Sequence, residues 1–144
     1  HFSYRHSNVS IYKPYDHQHL VEIRETLGTG AMLNFIPIRG AFTRGIFASM
    51  YLETNASLTS IQKLYQDFYA HAVFTHLSDH PVHLKQVVNT NNCILHVEKV
   101  KDKLLITSVI DYLLKGASGQ AVQNMNLMYG LDESTGLKLK GSFF

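Results

Sequence analysis

The sequence predicts an α+β fold, with a mixed, largely antiparallel sheet and helices packed on one face. Three observations carry this. Two strand-like runs, Cys93–Val100 and 103–109, are separated by only Lys101 and Asp102, which is hairpin spacing. Two further apolar runs, 32–37 and 42–53, lack helical periodicity and read as extended chain. Between these groups lies an amphipathic helix led by Ser57, whose apolar side needs a sheet to cover.

In chain order, residues 9–13 alternate weakly and stop at Pro14, predicting a short strand. A helix follows. Asp16 is its candidate N-cap, Leu20, Ile23 and Leu27 fall at helical spacing, and Gly28 with Gly30 ends it. The runs at 32–37 and 42–53 are interrupted by the pairs Arg39-Gly40 and Arg44-Gly45, and the second is long for one strand. Ser57 then caps a helix expected to gather Leu58, Ile61, Leu64, Tyr65 and Phe68 on one face. Residues 85–88 read as a strand ahead of the hairpin. Residues 110–129 are helical in character despite Gly116 and Gly119, with Asp111 and Lys115 spaced to pair across one turn and Gly130 as the stop.

A chain of 144 residues buries roughly 70% of its unfolded surface on folding, enough for a core without covalent staples. Charged residues make up 17% and the formal net charge is +2, so composition supplies no drive toward nucleic acid or membrane. Cys93 is the single cysteine, which excludes an internal disulfide and suits a reducing, cytoplasmic setting. No secretory leader or long apolar run is evident, so the sequons at Asn8 and Asn55 read as chance. The opening H-F-S-Y-R-H-S has no initiator Met and reads as the interior of a longer protein.

Chemistry-bearing side chains concentrate in D-H-Q-H-L-V-E-I, residues 16–23. His19 and Glu22 are helical neighbours, whereas His17 and Glu22 lie about 140° apart on an ideal helix. On residues alone this is a helix start with solvated histidines. H-L-S-D-H-P-V-H sets His76, Asp79, His80 and His83 close enough to suggest a metal-binding module, but Pro81 breaks any single helix that could hold them, so a surface loop is expected and no metal ligands are assigned. A non-catalytic self-association module is the other alternative.

A longer run, I-D-Y-L-L-K-G-A-S-G-Q-A-V-Q-N-M-N-L-M-Y-G-L from Ile110 to Leu131, resembles the carboxy-terminal signature of N-acetyl-gamma-glutamyl-phosphate reductases. D-H-Q-H-L-V-E-I resembles that family's H-x-H-x-x-E-I motif, and F-I-P-I-R-G-A-F-T-R-G-I its strand ending in R-G-I. Together the three span most of the chain, in the family's order.

The resemblance implies an oxidoreductase of arginine biosynthesis that reduces N-acetyl-glutamyl phosphate to the semialdehyde with NADPH, through a cysteine thioester. It also implies a sheet domain like the carboxy-terminal domain of glyceraldehyde-3-phosphate dehydrogenase, in a homo-oligomer. The family's Rossmann domain carries the NADP site and the nucleophile. No G-x-G-x-x-G precedes a helix in this chain and Cys93 lies in N-T-N-N-C-I-L, so the reactive cysteine is expected outside it and the chain alone is expected to be inactive. The implied division is a catalytic and dimerisation domain at 1–109, then a helix and tail at 110–144 that pack on the missing Rossmann domain.

By the same resemblance His17, His19 and Glu22 are the catalytic candidates, since imidazole can take and give protons near neutral pH. Which histidine moves the proton stays open. Arg44 and Arg39 are candidates for the substrate's phosphate and carboxylate, which suit a planar, doubly donating cation. Arg39, with Ile38 and Ala41, departs from the family's P-H-L-V-P-M-x-R-G pattern, and the choice between the arginines stays open too. Gln120 and Asn124, one turn apart, are candidate NADP contacts, while Tyr112 stands where the family commonly has Asn.

Overall fold

A computed structural model describes residues 2–142. The chain forms two compact units that divide between Thr43 and Arg44.

In the first unit, a four-residue helix α1 (Phe2–Arg5) leads to β1 (Ser10–Ile11), helix α2 (His19–Leu27) and β2 (Ile38–Arg39). The strands pair antiparallel, Ser10 opposite Arg39 and Ile11 opposite Ile38. The ladder continues irregularly, Tyr12 N–H donating to the Pro37 carbonyl at 2.9 Å and Tyr15 N–H to that of Phe35 at 3.0 Å. The predicted strand at 9–13 thus shortens to two residues, and 32–37 is not a strand. Asp16 is not the helix cap. α2 begins at His19 behind Gln18, which supplies no side-chain cap. Gly28 ends it as expected, its φ of 59° being the left-handed turn that glycine adopts without a Cβ clash. Leu20 is buried, but Leu27 at the far end is exposed.

The second unit is built on a four-stranded mixed sheet ordered β3 (Ile46–Glu53), β6 (Lys103–Ile110), β5 (Cys93–Val100), β4 (Thr75–Ser78). β3, β6 and β5 are antiparallel, and β4 joins β5 in parallel. The expected hairpin is present, turning at Lys101, whose φ is 56°. β4 falls in the stretch read as a loop, because T-H-L-S carries little apolar alternation and its partner is distant in sequence.

Helix α3 (Leu58–Phe68) is capped by Ser57, whose hydroxyl accepts from Ser60 N–H at 3.1 Å. Ile61 packs on Val97, Leu104 and Ile106, flanked by Leu58 and Tyr65. That i, i+3, i+7 stripe is narrower than the predicted face, since Leu64 and Phe68 point to solvent. On the opposite sheet face Val109 and Ile94 meet Val82, Val87 and Leu84. The covering segment contains a 3₁₀ turn, Leu84–Gln86, where a strand was expected.

The predicted helix at 110–129 starts later. Ile110 ends β6, a single π-turn spans Leu114–Ser118, and α4 runs Gly119–Met128. Beyond it the chain folds back, burying Ser134 and Leu137, with Asn126 donating to the Glu133 and Thr135 carbonyls at 3.2 and 3.0 Å. No helix among the described residues is long and apolar enough to cross a membrane.

Candidate active-site residues

In the first unit, His17 lies just ahead of α2. Its Nδ1 accepts the backbone N–H of His19 at 3.2 Å, so the imidazole does the capping that Asp16 was expected to do. A backbone N–H can only donate, hence Nδ1 is the unprotonated nitrogen and the neutral ring carries its proton on Nε2. Three rings surround His17 edge-on, with centroids at 4.5 Å for His19, 5.4 Å for Phe35 and 5.8 Å for Tyr12. Edge contacts of this kind restrict the ring's rotamers. His19 is exposed and reaches Glu22 only at 4.0 Å, the loose pairing of a solvated helix face. The structure therefore joins His17 to His19 and His19 to Glu22.

Arg39 lies over the Tyr12 ring, its guanidinium carbon 3.6 Å from the ring centroid. Register explains this. Ser10 is opposite Arg39, so Tyr12 is the diagonal neighbour, within reach of a long side chain. Lys13 Nζ approaches the same ring to 5.7 Å.

Arg44, in the second unit, is bound to Asp111. Nη2 donates to Oδ1 at 2.9 Å, and Nε lies 2.7 Å from Oδ2 as an ion pair whose N–H is not aimed at the oxygen. The fully buried carboxylate also accepts backbone N–H groups from Asn89 at 2.8 Å, Leu113 at 2.8 Å and Leu114 at 3.0 Å. Burial by itself would raise the Asp111 pKa, but Arg44 and these N–H donors outweigh it and hold the carboxyl below the usual aspartate range. Asp111 thus does not pair with Lys115. It directly follows β6, anchors the turn that follows and fixes Arg44; nothing local in the sequence announces that partnership.

Lys115 instead donates to Gln120 Oε1 and Gln123 Oε1, each at 2.7 Å. Burial pushes its ammonium below the ordinary lysine range, opposed in part by the Glu133 carboxylate. An ammonium has only donors, so it turns the Gln120 amide with oxygen inward; Nε2 then donates to Asn124 Oδ1 at 2.9 Å. The relay uses Asn124 Oδ1, and Asn124 itself is exposed. Gly119 is the close-approach position on this helix. A Cβ there would overlap the buried Asn91 Oδ1 and meet the Leu114 carbonyl at 3.0 Å. Gln123 and Asn91 were not singled out from sequence, and Lys115 was expected to pair with Asp111; only the fold links the three.

Cys93 is half-buried on β5, its Sγ 3.5 Å from Ser108 Oγ. Among the described residues no three His, Cys, Asp or Glu side chains converge as metal ligands. His76 lies within β4 and Asp79 just after it; the Ser78 hydroxyl donates to the His80 carbonyl at 2.7 Å and accepts the His80 N–H at 3.2 Å, while the Ser78 carbonyl lies 2.9 Å from His96 Nδ1.

The class defined by this geometry is an α+β sheet domain of mixed, largely antiparallel order with helices laid against it. Residues 1–112 match the family described as semialdehyde dehydrogenase, dimerisation domain, and the chain belongs to that family. It is 53% identical over its whole length to an N-acetyl-gamma-glutamyl-phosphate reductase of Parabacteroides distasonis and 54% to one of Phocaeicola vulgatus, covering 46% of each. A protein of the same name from Karelsulcia muelleri is 47% identical over 96% of the chain, which covers 44% of it. The chain spans about half the length of the curated relatives it matches.

Proposed function

We propose that the chain is the catalytic and self-association part of an N-acetyl-gamma-glutamyl-phosphate reductase, an NADP-dependent oxidoreductase of arginine biosynthesis. The observation that carries this reading is 53–54% identity along the entire chain to proteins of that name. Cys93, set into a strand against Ser108, is not the nucleophile; a thiol outside this chain attacks the acyl phosphate, phosphate leaves, and the resulting thioester is reduced to the aldehyde. The nicotinamide cofactor supplies the hydride.

The chain's own residues handle protons and charge. With Nδ1 occupied by the helix N–H, His17 offers Nε2–H to the substrate oxygen as negative charge develops there. His19 and Glu22 sit on the adjacent helix turn and orient polar parts of the substrate. Arg44, held rigid by Asp111, and Arg39, stacked on Tyr12, supply cationic donors to its anionic groups. Asn124 Nδ2, aimed by Gln120, fits the carboxamide of a nicotinamide.

Self-association and docking have surfaces to match. Along the edge strand β3 every residue except Ala48 is exposed, Phe47 and Tyr51 at 45% and 78%. A second copy across this strand would cover them, and Tyr51→Arg should then shift light-scattering mass toward monomer. Met128 and Tyr129 of α4 and its end are likewise exposed, at 82% and 76%, and suit the proposed packing of 110–144 on a Rossmann domain.

The test is phosphate-dependent NADP reduction by the full-length protein with N-acetylglutamate semialdehyde. Activity is expected, with a large loss in His17→Ala. No phosphate-dependent reduction sinks the reductase reading, and full activity in both His17→Ala and His19→Ala sinks the catalytic assignment.

A further inference from the structure

We infer that Asn89 and Ser142 are positioning residues for Arg44. Ser142 grips the peptide that joins Val88 to Asn89 and turns its N–H toward Asp111, and the carboxylate so oriented holds the guanidinium. Their purpose rests on the proposed binding of substrate anions by Arg44, whereas the bonds themselves all lie within the second unit.

Arg44 stands two residues ahead of β3, outside the strand ladder, so a partner side chain rather than a strand fixes it. That partner's two oxygens are loaded unequally. Asp111 Oδ1 accepts from Arg44 Nη2 and from the N–H groups of Leu113 and Leu114. Oδ2 faces the poorly aimed Arg44 Nε and one aligned donor, the Asn89 N–H at 2.8 Å. The Asn89 bond therefore sets how the carboxylate is rotated, and with it whether both oxygens face the guanidinium.

A trans peptide is planar, with its C=O and N–H pointing in opposite directions, so holding one end aims the other. Ser142 N–H donates to the Val88 carbonyl at 3.1 Å, and Asp111 Oδ2 accepts from the N–H at the far end of the same peptide. Donation to the carbonyl also polarises that N–H and strengthens its bond to the carboxylate. The side chains repeat the link, since Asn89 Nδ2 donates to Ser142 Oγ. Asn89 has a φ of 63°, in the left-handed region that asparagine enters more readily than most residues but seldom keeps without support. On either side Val87 is fully buried and Thr90 Oγ1 donates to the Val87 carbonyl at 2.8 Å, so the peptide between them is the part that Ser142 secures. The segment that delivers Ser142 is itself anchored by the buried Ser134 and Leu137.

Hydrogen exchange read by mass spectrometry on the full-length protein compares the parent with Ser142→Ala, Ser142→Pro and Asn89→Gly. Ser142→Ala removes the hydroxyl, Ser142→Pro the backbone donor as well, and Asn89→Gly keeps the left-handed turn while deleting the amide. The Leu113 and Leu114 amides bond Asp111 and not Ser142, so they report whether the carboxylate has moved. They should exchange about fivefold faster or more in Ser142→Pro and Asn89→Gly, and less so in Ser142→Ala. If Ser142→Pro fails to fold, the other two variants decide. Loosening confined to 87–92 is what a merely local role predicts, and it overturns the inference, as does parental exchange throughout. In the reductase assay the same variants should raise KM for the semialdehyde or for phosphate about fivefold, with kcat and the KM for NADP changed less than twofold. Ser142→Thr should keep the parental values. An unchanged KM in a variant whose 113–114 amides are loosened refutes the role toward Arg44. If the parent itself shows no reductase activity, the proposed reaction falls while faster exchange at Leu113 and Leu114 upholds the coupling; reductase activity with parental exchange and KM in every variant refutes the coupling alone.

Discussion

Arg44 and Asp111 lie 67 positions apart and meet at 2.9 Å, at the start of the chain entering β3 and the end of β6. The carboxylate accepts from one guanidinium and three backbone N–H groups, so it organises Arg44, the Asn89 turn and the start of the π-turn together.

Removing Asp111 should therefore be costly. Asp111→Ala leaves Arg44 without its partner and three N–H groups without acceptors, for an expected loss of about 3–5 kcal/mol. Urea unfolding checks the figure. A double-mutant cycle with Arg44→Met should show coupling of about 1 kcal/mol or more; additive losses would mean that the backbone contacts alone matter.

Acid should act through the same group. The folded-state pKa of Asp111 is depressed, so its contribution is fully present above the unfolded value of about 4 and is lost as pH falls through the folded value. Asp132, whose carboxylate accepts from the Ser134 hydroxyl and N–H, shifts in the same direction. Stability measured from pH 5 to pH 2 should fall, and Asp111→Asn should flatten that fall. An unchanged slope in the variant would assign acid sensitivity elsewhere.

Gly119→Ala should destabilise by about 1–3 kcal/mol through overpacking against Asn91 and Leu114. The helix itself would gain from alanine, so a loss isolates the contact. Thermal melts of Gly119→Ala in an Asn91→Ala background should show a smaller penalty. A Gly119→Ala protein as stable as the parent contradicts the close approach.

The helix-start contact of His17 and its proposed catalytic role can be separated. His17→Asn retains a side-chain acceptor for the start of α2, whereas His17→Ala removes it, at a cost of about 1 kcal/mol. Both remove the imidazole, so both should lower kcat of the full-length enzyme by about 10²–10⁴. If Asn restores activity as well as stability, His17 is only a cap.

Much of this molecule was legible locally. Ser57 names its own helix start because the acceptor, the N–H it satisfies and the apolar stripe all lie within one turn. Gly28 names the end of α2, and the Lys101-Asp102 turn fixes the hairpin, for the same reason. The resemblance also singled out His17, His19, Glu22, Arg44, Arg39, Gln120 and Asn124 as candidates.

What the tertiary structure decided lies at longer range. β4 became a strand because β5 offers a parallel edge to T-H-L-S, and Leu64 with Phe68 stayed exposed because Leu58, Ile61 and Tyr65 take the side of α3 that meets the sheet. Whether Asp111 would pair with Lys115 or Arg44 depended on which groups the fold brought together. Propensity acts between covalent neighbours and can be read in order along the chain. The choice of partner for a buried charge or a bare N–H is made by burial, which removes water as the alternative and leaves whichever group the topology has placed within 3 Å.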